Sequence, residues 1–252
     1  VADRIVLEAK HLDLRIGGAH IISDVSFSVP EGELLGVIGP NGAGKTTLFN
    51  LISGVLRPTG GSVHLEGTDV STAPISTRAR SGLGRTFQTS SLFPGLSVRE
   101  NVRLAAQVKG GHSLSLVRFP RSSDAANAVA AERLNDVGLS HLAEQNASGL
   151  SHGDKRKLEI AMLLAQDPAV LLLDEPMAGV ASGDVPGLVA LIRSLHRDQG
   201  RTVLMVEHHM DVVLGLVDRV AVMHHGQVLA IGSPADVMAN PDVQSAYLGD
   251  PL

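Results

Sequence analysis

Residues 39–46 read GPNGAGKT and match the pattern G-x-x-x-x-G-K-[ST] at every defined position. No other segment limits so tightly what this chain can fold into. Glycines allow successive backbone N–H groups to turn toward a single anion. The pattern carries that meaning only where a strand leads in and a helix leads out. Here ELLGVIG (33–39) is a short apolar run, and KTTLFNLIS begins at Lys45 with helical character. The segment is therefore read as a strand, a phosphate-cradling loop and a helix. Gly39, Pro40, Asn41, Gly42, Ala43 and Gly44 form the cradle, and the helix N-terminus adds the positive end of its dipole. Lys45 is expected to reach the β- and γ-phosphates of a nucleotide, Thr46 to ligate Mg²⁺, and Thr47 to complete the nucleotide-binding set.

That loop needs a sheet, and the rest of the chain supplies candidate strands. AVLLLDE (169–175) and TVLMVEH (202–208) are continuous apolar runs, as expected of strands covered on both faces. RVAVMHHGQVLAIG (219–232) reads as two strands around a turn at Gly226. Helical segments are expected near 97–108, 125–137, 152–166 and 184–198. Strands that alternate with helices predict an α/β fold with a mainly parallel sheet. Residues 89–166 have little strand character and are read as a helical lobe inserted into a core formed by 1–88 and 167–252. KGGHSLSLVRFPRSSD (109–124), rich in Gly, Ser and charge, is read as a loop within that lobe.

Asp174 and Glu175 end the 169–175 run. In an open α/β sheet, ligands sit beyond the C-terminal ends of the strands. Neighbouring strand residues point to opposite faces, so the two acids are given different tasks. Asp174 suits the coordination sphere of Mg²⁺, and Glu175 suits the base that polarises an attacking water.

Composition removes other classes. A net charge of −5 leaves no overall nucleic-acid footprint. With no cysteine, disulfides and thiol chemistry are excluded. VADRIVLEAK lacks the apolar stretch of a signal peptide. No run approaches the ~18 apolar residues of a membrane helix, so any spanning is expected of another chain. The 11 histidines are mostly structural, and adjacent pairs such as His224 and His225 lack the i,i+4 spacing of a helical metal site.

Residues 149–160, GLSHGDKRKLEI, admit two readings. Ser151-x-x-Asp154 fits a capping box, with Ser151 capping the helix and Asp154 reaching back to the cap N–H. The same helix start could present free N–H groups, Ser151 and Gly153 to a phosphate held by another subunit.

The motif set, each member once and in this order, resembles that of an ABC transporter ATPase: phosphate loop, RTFQ, LSHGD, the acid pair and EH at 207–208. GLGRTFQTSSLFPGLSVRENV (82–102), LSHGDKRKLEIA, EHHM (207–210) and NPDVQSAYLGD (240–250) resemble the branched-chain (hydrophobic) amino acid importer type. RTFQ and EHHM are similar to the first of that importer's two ATPase subunits. The resemblance implies a P-loop NTPase core with an antiparallel β subdomain and an inserted helical lobe. It assigns Gln88 to the Q-loop that touches Mg²⁺ and water, His208 to the switch histidine facing the γ-phosphate, and Ile16 to the adenine-stacking position. It makes Ser151 and Gly153 signature residues acting on the partner's ATP.

The implied cofactors are ATP and Mg²⁺. The implied partners are a second ATPase subunit (in a heterodimer, or a homodimer in isolation), membrane permease subunits and, indirectly, an extracytoplasmic solute-binding protein. The implied location is the cytoplasmic face of a bacterial or archaeal plasma membrane. Thr89 to Leu96 would line the groove that meets the permease. A urea or amide importer ATPase and a weakly hydrolysing regulatory subunit are the alternatives. Four positions depart from the family pattern: Ile16 is not aromatic, Ala181 replaces an aspartate, and His152 and Asp154 stand where the signature has glycine and glutamine.

Overall fold

The computed structural model describes residues 4–86, 92–109, 125–208 and 210–248. In chain order the elements are β1 (Ile5–Ile16), β2 (Ala19–Pro30), β3 (Leu34–Ile38), α1 (Lys45–Ser53), β4 (Gly60–Leu65), β5 (Thr68–Asp69), α2 (Ile75–Arg80), β6 (Leu83–Arg85), α3 (Val98–Lys109) and α4 (Ala125–Asp136). They continue as α5 (His152–Leu164), β7 (Val170–Asp174), α6 (Val185–Arg197), β8 (Thr202–Val206), α7 (Met210–Leu214), β9 (Arg219–His224), β10 (Gln227–Gly232), α8 (Pro234–Met238) and α9 (Pro241–Leu248). The expected loop at 109–124 falls almost wholly outside the described residues.

The chain divides into two compact units. The first comprises Val1–Arg85, Ala169–Pro176 and Ile192–Leu252, and the second comprises Thr86–Pro168 and Met177–Leu191.

The first unit holds two sheets. One has the order β10-β9-β3-β8-β7-β6, parallel throughout except that β10 runs antiparallel to β9. Every residue of β3, β7 and β8 is buried, which is why these strands read as unbroken apolar runs. The other sheet is antiparallel, with the order β2-β1-β4-β5. A two-residue turn, Gly17-Gly18, joins β1 to β2 with φ of 56° and 86°. Such a turn matches the twist of the strands and calls for glycine. Helix α1 gives Leu48, Phe49, Leu51 and Ile52 to one core cluster with Leu12, Ile22 and Val25 of the antiparallel sheet and Val37, Leu172 and Leu204 of the parallel one. Each such side chain contributes about 1.5–3 kcal/mol on burial. Helix α1 is thereby fixed between two sheets, and its N-terminus with it.

The second unit is built on α3, α4 and α5, which pack against one another and bury Val98, Val102 and Ala105, Ala126, Ala130 and Leu134, and Leu158 and Ala161. Among the described residues, no helix is long and apolar enough to cross a membrane.

Candidate active site

The phosphate loop leaves β3 at its C-terminal end and enters α1 at Lys45. Its shape is set by left-handed glycines at Gly39, Gly42 and Gly44, with φ of 155°, 81° and 101°. At Gly39 the demand is also steric. A Cβ there would lie 2.2 Å from the carbonyl oxygen of Met223, at the end of β9. The far side of the loop is tied down by Gly226 N–H donating to the Ala43 carbonyl at 3.0 Å.

Lys45 is buried, and its Nζ donates to the carbonyls of Gly39 at 2.6 Å and Pro40 at 2.9 Å. Burial pushes its pKa below the usual lysine value, and the nearby Glu175 carboxylate pulls it back up. The ammonium thus rests on carbonyls of its own loop, close enough to Glu175 to feel its charge. Thr46 is exposed at the helix start, as are Asn41 and Gly42, while Thr47 is partly covered.

The acid pair stands at the end of β7, beside β8, with Asp174 opposite Val206 in parallel register. The two acids differ in burial, but Glu175 lies past the end of β7, so a turn and not strand alternation separates them. Asp174 is almost fully buried, at 1% exposure, and Glu175 is a quarter exposed. Glu175 has φ of 48°, in the left-handed region, and its N–H donates to the Val206 carbonyl at 2.9 Å. A non-glycine residue held there costs about 1–3 kcal/mol and persists only where the surroundings impose it. The turn carries the carboxylate out of the buried strand. His208, two residues past β8, is half exposed, with Nδ1 3.9 Å from Glu175 Oε1. That is too long for a hydrogen bond, but close enough for a charge to be felt.

One participant was not singled out from the sequence. Arg85, the last residue of β6, is buried and donates from Nη2 to Asp174 Oδ2 at 2.7 Å. Within RTFQ, the motif pattern gives a role to the glutamine and none to the arginine. Gln88, and all of Thr89 to Leu96 before position 92, lie outside the described residues. Ile16 ends β1 beside the Gly17-Gly18 turn and is 55% exposed.

In the second unit, Ser151 caps α5 with an extended backbone, φ −60° and ψ 162°. Its hydroxyl oxygen accepts from Asp154 N–H at 3.1 Å and the hydroxyl donates to Asp154 Oδ2 at 2.9 Å. The carboxylate was expected on the backbone N–H of the cap. It is found on the cap hydroxyl, which completes a small closed ring. Lys157 Nζ lies 3.6 Å from Asp154 Oδ1. Gly153 permits a close approach in the first turn, since a Cβ there would lie 3.0 Å from both Cβ and Oδ2 of Asp184.

A glycine loop feeding a helix, a lysine folded into it, and an acid pair at the end of a neighbouring parallel strand define a P-loop ATPase. The chain belongs to the ABC transporter family: the model of that description matches residues 22–178, and a second, described as branched-chain amino acid ATP-binding cassette transporter, matches 227–251. It is thus an ATP-binding, ATP-hydrolysing transporter subunit. Among curated relatives it is 40% identical to the high-affinity branched-chain amino acid transport ATP-binding protein LivG of Salmonella typhimurium, over 97% of this chain and 98% of that one. It is 39% identical to the BraF protein of the same description from Pseudomonas aeruginosa, over 98% and 99%. A nucleotide-free ATP-binding cassette from an ABC transporter superposes with a TM-score of 0.85 at 31% identity, covering 98% of this chain and 100% of that one.

Proposed function

We propose that this chain is the ATP-hydrolysing subunit of an importer for branched-chain amino acids, working as one of two ATPase subunits beneath membrane permease subunits. The hydrolytic part of the reading rests on one observation. Lys45, Asp174, Glu175 and His208 stand at one end of the parallel sheet, where the Glu175 charge favours the Lys45 ammonium. The solute is supported by the likeness to LivG and BraF and by the match at 227–251.

In this reading Gly39 to Thr47 hold the phosphates, and Lys45 leaves its two carbonyls to neutralise the β- and γ-phosphate oxygens. Glu175 takes the proton of the attacking water as that oxygen bonds to the γ-phosphorus. The bond to the β-phosphate oxygen then breaks, and its electron pair remains on ADP. His208 faces the γ-phosphate and steadies the charge that develops there. Proton abstraction supplies about 10²–10⁴-fold of the acceleration, and positioning and charge neutralisation supply the rest.

The oxygen donors nearest the loop are the exposed Thr46 hydroxyl and the buried Asp174 carboxylate, whose Oδ2 accepts from Arg85. All are oxygens and they are few, which suits a hard divalent ion that arrives with nucleotide oxygens and keeps several waters. Thr46, Asp174 and Gln88 are the residues that would hold Mg²⁺, whose charge offsets that of the triphosphate. Ile16 would cover the adenine through dispersion alone. Ser151 and Gly153 would meet the γ-phosphate bound by the partner subunit. The partners are a second, non-identical ATPase subunit, the permease and, through it, a solute-binding protein. The site of action is the cytoplasmic face of the plasma membrane.

Uptake tests this directly. Cells lacking the gene should lose uptake of labelled leucine, isoleucine and valine. The wild-type chain should restore it and Glu175→Gln should not. Rescue of urea or short-amide uptake with leucine uptake untouched would overturn the solute. Uptake driven by Glu175→Gln would overturn the hydrolytic role.

A further inference from the structure

Arg85 has no part in the roles above, yet it is placed against them. The residue ends β6 and lies 89 positions before Asp174. Its side chain is 7% exposed and that of Asp174 is 1% exposed. One end of the guanidinium, Nη2, donates to Asp174 Oδ2 at 2.7 Å. The other end, Nη1, reaches the last turn of α1: Ser53 Oγ at 2.6 Å, Asn50 Oδ1 at 2.8 Å and the Phe49 carbonyl at 3.2 Å. The guanidinium carbon lies 5.9 Å from the centroid of the Phe49 ring.

A buried ion pair is poor support for stability by itself, because desolvating both charges offsets most of their attraction. It gains meaning where it fixes geometry. The planar fork of arginine binds two partners in set directions, which a lysine cannot do. Here the two partners are the acid at the end of β7 and the helix that begins with Lys45 and Thr46. We propose that Arg85 is a positioning residue for the metal of the nucleotide. It braces Asp174 against α1, so that the Asp174 carboxylate and the Thr46 hydroxyl are held on one rigid frame. This rests on the reading of Asp174 and Thr46 as the Mg²⁺ donors.

The brace predicts a change in metal dependence, separable from nucleotide binding itself. The measurement is binding of a fluorescent ATP analogue to the purified full chain, in chelator and across a Mg²⁺ titration. Arg85→Met should leave binding in chelator unchanged and raise the half-effective Mg²⁺ concentration about tenfold or more, the usual loss when the partner of a metal-holding carboxylate is removed. Arg85→Lys keeps the charge without the fork and should fall between Met and wild type. An unchanged or lowered Mg²⁺ midpoint in Arg85→Met overturns the assignment. If Arg85→Met does not fold, as judged by circular dichroism, the Asn50→Ala/Ser53→Ala double variant decides. It keeps the ion pair and loosens only the brace. A raised midpoint then supports the proposal, and an unchanged one overturns it. Should wild-type binding ignore Mg²⁺ altogether, the nucleotide-site reading fails and the brace fails with it. If only the variants match wild type, the brace alone fails.

Discussion

The phosphate loop and the start of α5 both carry a serine or threonine, glycines and a helix N-terminus, but they are built in opposite ways. Around the phosphate loop, Lys45 rests on its own loop, but the other groups are held by distant chain. Gly39 is pressed against Met223, Glu175 hangs from Val206, and Asp174 is gripped by Arg85. At the start of α5 the side-chain hydrogen bonds are local, i to i+3, and Ser151 is exposed, although the buried Gly153 lies against Asp184. The same local ring occurs at α8, where Ser233 accepts from Asp236 N–H at 3.2 Å and donates to its carboxylate at 2.6 Å. The serine–aspartate cap thus recurs at a second helix start, whereas α1 and α2 begin without a side-chain cap. Its presence at Ser151 does not make a site, and any function there must come from what a partner brings.

The largest effect should separate chemistry from architecture. Glu175→Gln is expected to lower ATP turnover by about 10²–10⁴-fold, measured as phosphate release, with nucleotide binding retained. Turnover that stays near wild type would mean the strained acid after β7 is not the base. Next in size is the contrast between two glycines. Gly39→Ala places a Cβ 2.2 Å from a backbone oxygen at positive φ, and should lower unfolding stability by about 2–4 kcal/mol in a urea titration. Gly153→Ala meets only the Asp184 side chain, at 3.0 Å, and should cost about 1 kcal/mol or less. Equal costs would remove the distinction between a loop clamped by the fold and a helix start that can give way.

Sequence patterns revealed local features well and distant ones poorly, for a physical reason. The strand at 34–38, the helix from Lys45, the buried runs before Glu175 and Glu207, and the hairpin around Gly226 all declare themselves through apolar periodicity and turn chemistry. The hairpin turn itself is His225-Gly226, both at positive φ (45° and 78°). The capping of α5 by Ser151 was likewise readable, since its partner is three residues away. Arg85 was not, because nothing in a strand-ending arginine names an aspartate 89 residues later. The left-handed turn at Glu175 was equally hidden. It arises from β7 running on beside β8, a tertiary fact that favours no particular residue type. The pairing of β1 with β4 also depends on a contact between segments separated by β2, β3 and α1.

The twin caps allow a sharper test. Ser151→Ala and Ser233→Ala remove the same pair of hydrogen bonds at exposed helix starts, and each should cost about 1 kcal/mol in thermal or urea unfolding. Their effects on ATP turnover by the assembled dimer should differ. Loss confined to Ser151→Ala would give the α5 start a role beyond capping, and equal retention would reduce it to a cap.

The smallest effect concerns the carboxylates of those two rings. Asp154 and Asp236 each hold a serine hydroxyl, so Asp154→Gln and Asp236→Gln should both alter stability by only about 0.5 kcal/mol, the scale of exposed changes that retain a polar side chain. At Asp154 the substitution also removes a negative charge from the first turn of α5, near the Asp184 carboxylate that packs against Gly153. If this helix start meets the partner's γ-phosphate, the charge opposes that approach and the ring keeps the Ser151 hydroxyl turned inward. Asp154→Gln should then tighten ATP-driven dimerisation, measured by sedimentation, while Asp236→Gln leaves it unchanged. Because the repulsion between a partly exposed charge and an approaching phosphate is screened by salt, the gain should shrink as ionic strength rises. A gain that survives high salt would point to release of the serine hydroxyl as its cause, and no gain at any salt would leave Asp154 as one half of a cap.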